Sequence, residues 1–121
     1  MTIARVLRAS GAVSLAFGAG LLVLPALVRG TYGLRVDGVT ELVARLLGGQ
    51  LLGFGVLDWR AASADPAAQR RVNVAGGVAE GASLAGVLVA IGGAGGTTLL
   101  WSVPTIFLVF VIARIFAARR S

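Results

Sequence analysis

Cysteine, histidine and lysine are all missing from the 121 residues. Without cysteine there is no disulfide framework and no thiol redox centre. With histidine gone too, a Cys/His zinc site and haem ligation by either residue are excluded, and so is the commonest general base. Acidic residues are scarce: Asp37, Glu41, Asp58, Asp65 and Glu80 are the whole set, and four of the five fall near expected helix ends or in loops. This inventory points away from an enzyme, and no catalytic residue, cofactor or metal ligand is expected.

Charge as a whole is thin. Charged residues make up 13% of the chain against 57% hydrophobic ones, whereas a soluble domain carries roughly 25% charged residues. A water-soluble fold has too little polar surface to cover so much apolar side chain. The length allows one domain, and four spans of about 20 residues each would use nearly all of it. The expectation is one integral membrane domain over residues 1–121. The net charge of +6 raises nucleic acid as a partner, but the eleven arginines flank apolar runs, as in membrane orientation, so no nucleic-acid partner is expected.

Four apolar stretches emerge along the chain. The first, 9–28, is free of charge, with Arg5 and Arg8 before it and Arg29 after it. A cleaved signal peptide is the rival reading, but the run is too long and lacks a small-x-small cleavage site before Arg29. Residues 29–40 read as a loop broken by Gly30, Gly33 and Gly38. The second span is 41–59, followed by the polar segment 60–71 with a turn at Asp65-Pro66. The third is 72–92, and Gly92–Gly96 forms a tight link to the fourth, 98–117. Pro104 sits in the first turns of that helix or kinks it. The resulting fold class is all-α, a transmembrane four-helix bundle with antiparallel up-down connections.

Arginine placement orients the bundle. The N-terminus, the 60–71 segment and the C-terminus share one side and hold Arg5, Arg8, Arg60, Arg70, Arg71, Arg114, Arg119 and Arg120; the other side holds Arg29 and Arg35, with Arg45 just inside a helix. The positive-inside rule places both termini in the cytoplasm of a bacterial cell, with the chain multi-pass in the cytoplasmic membrane. Trp59 then marks the inner interface, and Tyr32 and Trp101 the outer one, as aromatic anchors.

Helices in lipid pack through small residues that let backbones approach. Four-residue spacing picks out Ala12, Ala16 and Gly20 in the first span, Gly49 and Gly53 in the second, and Gly77 and Gly81, then Ala82, Gly86 and Ala90, in the third. These are the expected helix-packing positions, within one chain or between copies.

Glu80 lies inside the third span, where a carboxylate facing lipid costs several kcal/mol and so calls for a partner or a proton. Arg45 on the antiparallel second span is the expected partner, with Glu41 one turn before it as a favourable helical pair. Gln50 matches Glu80 in depth but points about 140° from Arg45, making it the alternate member of a Glu41–Arg45–Glu80 polar cluster. As a clamp, the cluster fixes helix register; as a proton or ion site, it serves a small oligomeric transporter or channel. The clamp is favoured.

Three segments carry a resemblance: Tyr32-Gly33-Leu34, then Ala44-Arg45-Leu46-Leu47-Gly48, then Leu52-Gly53-Phe54-Gly55-Val56-Leu57-Asp58-Trp59-Arg60, with Trp101 near the start of the last helix. The chain resembles a family of small four-span bacterial integral membrane proteins of unassigned activity, distantly DoxX-like. The resemblance covers nearly the whole chain in layout and implies a small four-helix membrane bundle. It brings no catalytic residues, and the cysteines of some DoxX-like proteins have no counterpart here. The functional expectation is a non-enzymatic accessory or structural component of the membrane or of a membrane complex. Its partners would be lipid, other membrane subunits or a second copy.

Overall fold

The computed structural model describes the backbone of residues 2–23, 38–94 and 101–120 and the side chains of 2–23, 42–89 and 101–120. Among these are four helices and no strand: α1 (Ile3–Val23), α2 (Gly38–Ala61), α3 (Pro66–Ala94) and α4 (Ser102–Arg120). All four are long and apolar enough to cross a membrane. The 19 residues of α4, the shortest, span about 28 Å at 1.5 Å per residue, close to the thickness of a bilayer's hydrocarbon core. The chain is thus a four-helix bundle built as a small integral membrane protein.

The helices outrun the apolar stretches at the arginine-rich end. α1 starts at Ile3 and takes Arg5 and Arg8 into its first turns, and α3 starts at Pro66 and includes Arg70 and Arg71. The expected 60–71 loop shrinks to the few residues between Ala61 and Pro66. Local chemistry explains why. Asp65 caps α3, its Oδ1 accepting the Ala68 amide N–H at 3.0 Å, and Pro66 takes the first helical position, where its missing N–H costs nothing. Gln69 donates its side-chain amide to the carbonyls of Ala62 at 3.1 Å and Ala64 at 3.0 Å, satisfying backbone left over where α2 ends. Thr2 accepts the Arg5 amide at 3.3 Å as the cap of α1. Pro104 is the third residue of α4 and buried, so it sits in the first turn, where no intrahelical N–H is needed. Of the expected loop 29–40, residues 38–40 belong to α2, and of the expected link 92–96, residues 92–94 belong to α3; residues 29–37, Tyr32 among them, and 95–96 lie outside the described residues.

Two helix pairs make the bundle. α1 lies tightly against α2, and α3 against α4; the pairs meet more sparingly. The α1–α2 seam is a glycine contact. A Cβ on Gly18 would lie 2.7 Å from the Gly48 carbonyl oxygen, one on Gly48 would lie 2.8 Å from the Gly18 oxygen, and one on Gly11 would lie 2.9 Å from the Gly55 oxygen. Only hydrogen fits at these positions, so backbone touches backbone. The glycines are seven apart on both strands of the seam, and the buried positions Ala44, Gly48, Gly55, Asp58 and Ala62 follow the same heptad rhythm, the 3.5-residue period of left-handed packing.

Within one chain, this corrects the expected packing stripes. Gly49, Gly53 and Gly81 have nothing within 4 Å of a built Cβ, and Gly77 meets only the Arg114 Cδ at 3.7 Å. Ala12, Ala16, Ala82 and Gly86 are exposed, Gly20 is half-buried, and the Ala90 side chain lies outside those described. In a chain so rich in glycine and alanine, four-residue spacings occur on every helix face. One residue of offset, Gly48 in place of Gly49, turns the face by about 100°.

The apolar core sits at the end that carries both termini. Ile3, Val6 and Leu7 of α1 pack with Ala61 and Ala62 at the end of α2 and with Ala117 of α4, and Val72 and Ala113 flank them. Trp59, at this end, and Trp101, at the opposite one, are both about half exposed, at 51% and 54%.

Candidate functional site: a buried arginine held by three helices

Just inside the apolar core, α4 presents Arg114, only 3% exposed. Its Nε donates to Glu80 Oε2 at 2.8 Å and its Nη2 to Glu80 Oε1 at 2.9 Å, a two-pronged grip on one carboxylate. The same Nη2 lies 2.8 Å from Asp58 Oδ2 and 2.8 Å from Ser10 Oγ. Nη1 makes a long contact of 3.5 Å with Asn73 Oδ1, and the Asn73 amide returns a bond to the Arg114 carbonyl at 3.2 Å. The Ser10 hydroxyl donates to Glu80 Oε1 at 3.1 Å. One side chain is thereby bonded to α1, α2 and α3 at once.

Helix direction makes the arrangement possible. Side chains lean toward the N-terminus of their own helix. α3 runs away from the termini-bearing end and α4 runs toward it, so Glu80 leans back and Arg114 leans out, each toward the other. Gly76 supplies the space. A Cβ there would lie 2.5 Å from Arg114 Cζ and 2.7 Å from both terminal nitrogens, so the guanidinium rests on bare α3 backbone. Ser10, Asn73 and Asp58 are all buried.

A guanidinium in a low-dielectric interior is expensive unless charge and hydrogen bonds compensate it. Here the fork meets carboxylate geometry directly, which an ammonium cannot do. Removing either kind of partner would leave an uncompensated charge in the bundle.

Arg45 is not the partner of Glu80 that the sequence suggests. It is exposed and donates its Nη1 to the Leu22 carbonyl at 2.9 Å, at the last turn of α1, where a cation also suits the helix dipole. The glycine register sets Arg45 beside Leu21 and Leu22, while Glu80 reaches Ser10, about 17 Å lower along α1. Gln50 is exposed on α2, and the Glu41 side chain lies outside those described. The residues brought together with Glu80 are Ser10, Asp58, Asn73 and Arg114. In sequence, Asp58 and Arg114 read as interface residues because each stands within two turns of a helix end. The available signal is Arg114 interrupting an otherwise apolar run, at a depth two acids from other helices can reach.

Among the described residues no group of three Asp or Glu side chains is placed to hold a metal ion. No protein-family model, curated protein or solved structure matches the chain.

Proposed function

We propose that the chain is a non-enzymatic structural or accessory component of the bacterial cytoplasmic membrane, acting as a rigid four-span module within a membrane complex. One observation carries this reading: Arg114 bonds side chains from all three other helices, which is what fixing their register requires. Such a clamp gives the bundle one arrangement where lipid alone discriminates weakly between packings. Seven arginines other than Arg114 lie at or near the termini-bearing end, which supports cytoplasmic termini and contact with anionic headgroups. Kinship with DoxX-like four-span proteins is part of the same proposal.

Purification in mild detergent followed by native mass spectrometry tests it. A defined complex with other membrane subunits, or with a second copy, that falls apart in Arg114→Met supports the module. Recovery as a lone chain under every mild condition argues against it. Intramembrane charges also mark transport paths, but the Arg45–Glu80 pair on which that alternative rested is not formed. Proton or solute flux through liposomes carrying the chain, abolished in Glu80→Gln, would replace the structural reading.

A further inference from the structure

At the termini-bearing end, the starts of α1 and α3 and the end of α4 line an open cleft of about 340 Å³. Its floor is apolar: Ile3 and Ala117 are buried members of the apolar core, and Pro66 lies with them. Its rim is basic, with Arg70 contributed by α3 and Arg120 by α4. The volume falls within the range of small-ligand sites, about 300–1,000 Å³. An apolar floor under a cationic rim, at the end of membrane-spanning helices, suits the level where acyl chains give way to headgroups.

The rim is rich in donors and poor in negative charge. Among the described residues no Asp or Glu lines the cleft. Asp65, the nearest in sequence, caps α3 through the Ala68 amide at 3.0 Å instead. Arg120 has no hydrogen bond or ion pair among the described residues, so its donors are open to a ligand. Thr2 Oγ1 accepts the Arg5 amide at 3.3 Å and keeps its own proton for a further acceptor. Gln69 commits its amide protons to the carbonyls of Ala62 and Ala64, and so forms a fixed wall of the cleft. Two guanidiniums and a hydroxyl, brought by three helices, match the oxygens of a phosphate group, which planar arginine forks grip in pairs of bonds.

We propose that this cleft is a binding site for a phosphate group, held by Arg70 and Arg120 with the Thr2 hydroxyl as a third donor. An anionic lipid of the leaflet on the termini-bearing side and a soluble phosphate share that chemistry. The lipid suits both surfaces: its phosphate meets the rim while its glycerol lies over Ile3, Pro66 and Ala117, and basic pockets between helices bind such headgroups. The proposal rests on the headgroup contact proposed above for its setting and goes beyond it in naming a site. A diffuse attraction would use every arginine at this end, whereas Arg71 and Arg119 are exposed there and do not line the cleft. A rigid module needs no dedicated lipid, so a chain recovered without protein partners would sink the module and leave the site standing.

Native mass spectrometry of the full chain in mild detergent, mixed with equal amounts of phosphatidylglycerol and phosphatidylcholine of matched chains, tests it. The wild type is expected to keep one phosphatidylglycerol per chain in preference to phosphatidylcholine. Arg70→Gln and Arg120→Gln each weaken that retention about tenfold, as losing one charge-assisted bond requires. Arg71→Gln and Arg119→Gln remove the same charge outside the cleft and change it less than about twofold at physiological salt. Hydrogen exchange on the wild type needs no substitution: the bound ligand slows exchange at the starts of α1 and α3 and at the end of α4 together. Lipid kept against excess inorganic phosphate identifies the lipid as the source. Inorganic phosphate bound by the delipidated chain, with the same arginine dependence and no lipid preference, identifies a soluble phosphate. Failure to hold either ligand overturns the proposal, as does equal weakening in all four variants, which would leave only diffuse attraction to the basic end. Binding that protects none of the three helix ends overturns it equally.

Discussion

Replacing Arg114 with methionine is the sharpest test of the clamp. Methionine keeps an unbranched apolar stem in the space above Gly76 but removes the fork. Five contacts go with it: two to Glu80 at 2.8 and 2.9 Å, one to Asp58 at 2.8 Å, one to Ser10 at 2.8 Å and the long one to Asn73 at 3.5 Å. Hydrogen bonds to charged groups contribute about 1.5–3 kcal/mol each, but these share one side chain and do not add. Breaking a buried pair by removing one partner costs about 3–5 kcal/mol, and that is the expected loss. Against a total stability of about 5–15 kcal/mol, it is a large fraction. The assay is reversible unfolding in mixed micelles, followed by the fluorescence of Trp59 and Trp101, with the exposed Arg119→Met as control, expected within about 0.5 kcal/mol of wild type. Arg114→Lys should fall between, since it keeps the charge and loses the two-pronged geometry. The combined variant Asp58→Asn, Glu80→Gln, Arg114→Met should recover most of the loss, because no charge is then stranded. If Arg114→Met unfolds within about 1 kcal/mol of wild type, the clamp is refuted.

Gly18→Leu should separate α1 from α2 and cost about 1–3 kcal/mol as overpacking, whereas Gly49→Ala and Gly53→Ala should be neutral or slightly stabilising in the same assay; equal effects would sink the seam assignment. Gly76→Ala should push the guanidinium off α3 and weaken the bundle much as loss of one Arg114 contact does, read as a shift in the same unfolding midpoint. At the start of α3 the Asp65 carboxylate is held below its ordinary value, chiefly by the Ala68 amide. Its contribution is therefore full above the ordinary carboxylate range and lost as the pH falls through the lowered value. Amide protection factors at the first turn of α3, corrected for the intrinsic pH dependence of exchange, should fall in acid for the wild type and stay level in Asp65→Asn, which caps without titrating. Reporter fusions at residue 35 and after residue 121 should read periplasmic and cytoplasmic respectively, and a cytoplasmic residue 35 would reverse the orientation.

The helices are legible in the sequence because membrane spans announce themselves by length: an apolar run of about twenty residues with few charges matches the bilayer and exceeds what a soluble core helix needs. Their ends are less so, since Arg70 and Arg71 look like loop and are in fact helix carried past the apolar layer by the Asp65 cap. Rotation about the helix axes is the hidden variable. Gly48 and Gly49 are adjacent in sequence and lie on different faces, and only the partner helix decides which one is covered. The need of Glu80 for a partner is visible from its burial cost, but the identity of that partner depends on register. Arg114 is concealed by its nearness to Arg119 and Arg120, which do sit at the surface.

The place of Arg114 on the last helix has a consequence for biogenesis. A chain is made from its N-terminus, so Asp58 and Glu80 enter the membrane well before the residue that compensates them. Until α4 arrives, the first three helices hold two carboxyl groups with no guanidinium between them. Only the last helix completes the compensation of the cluster.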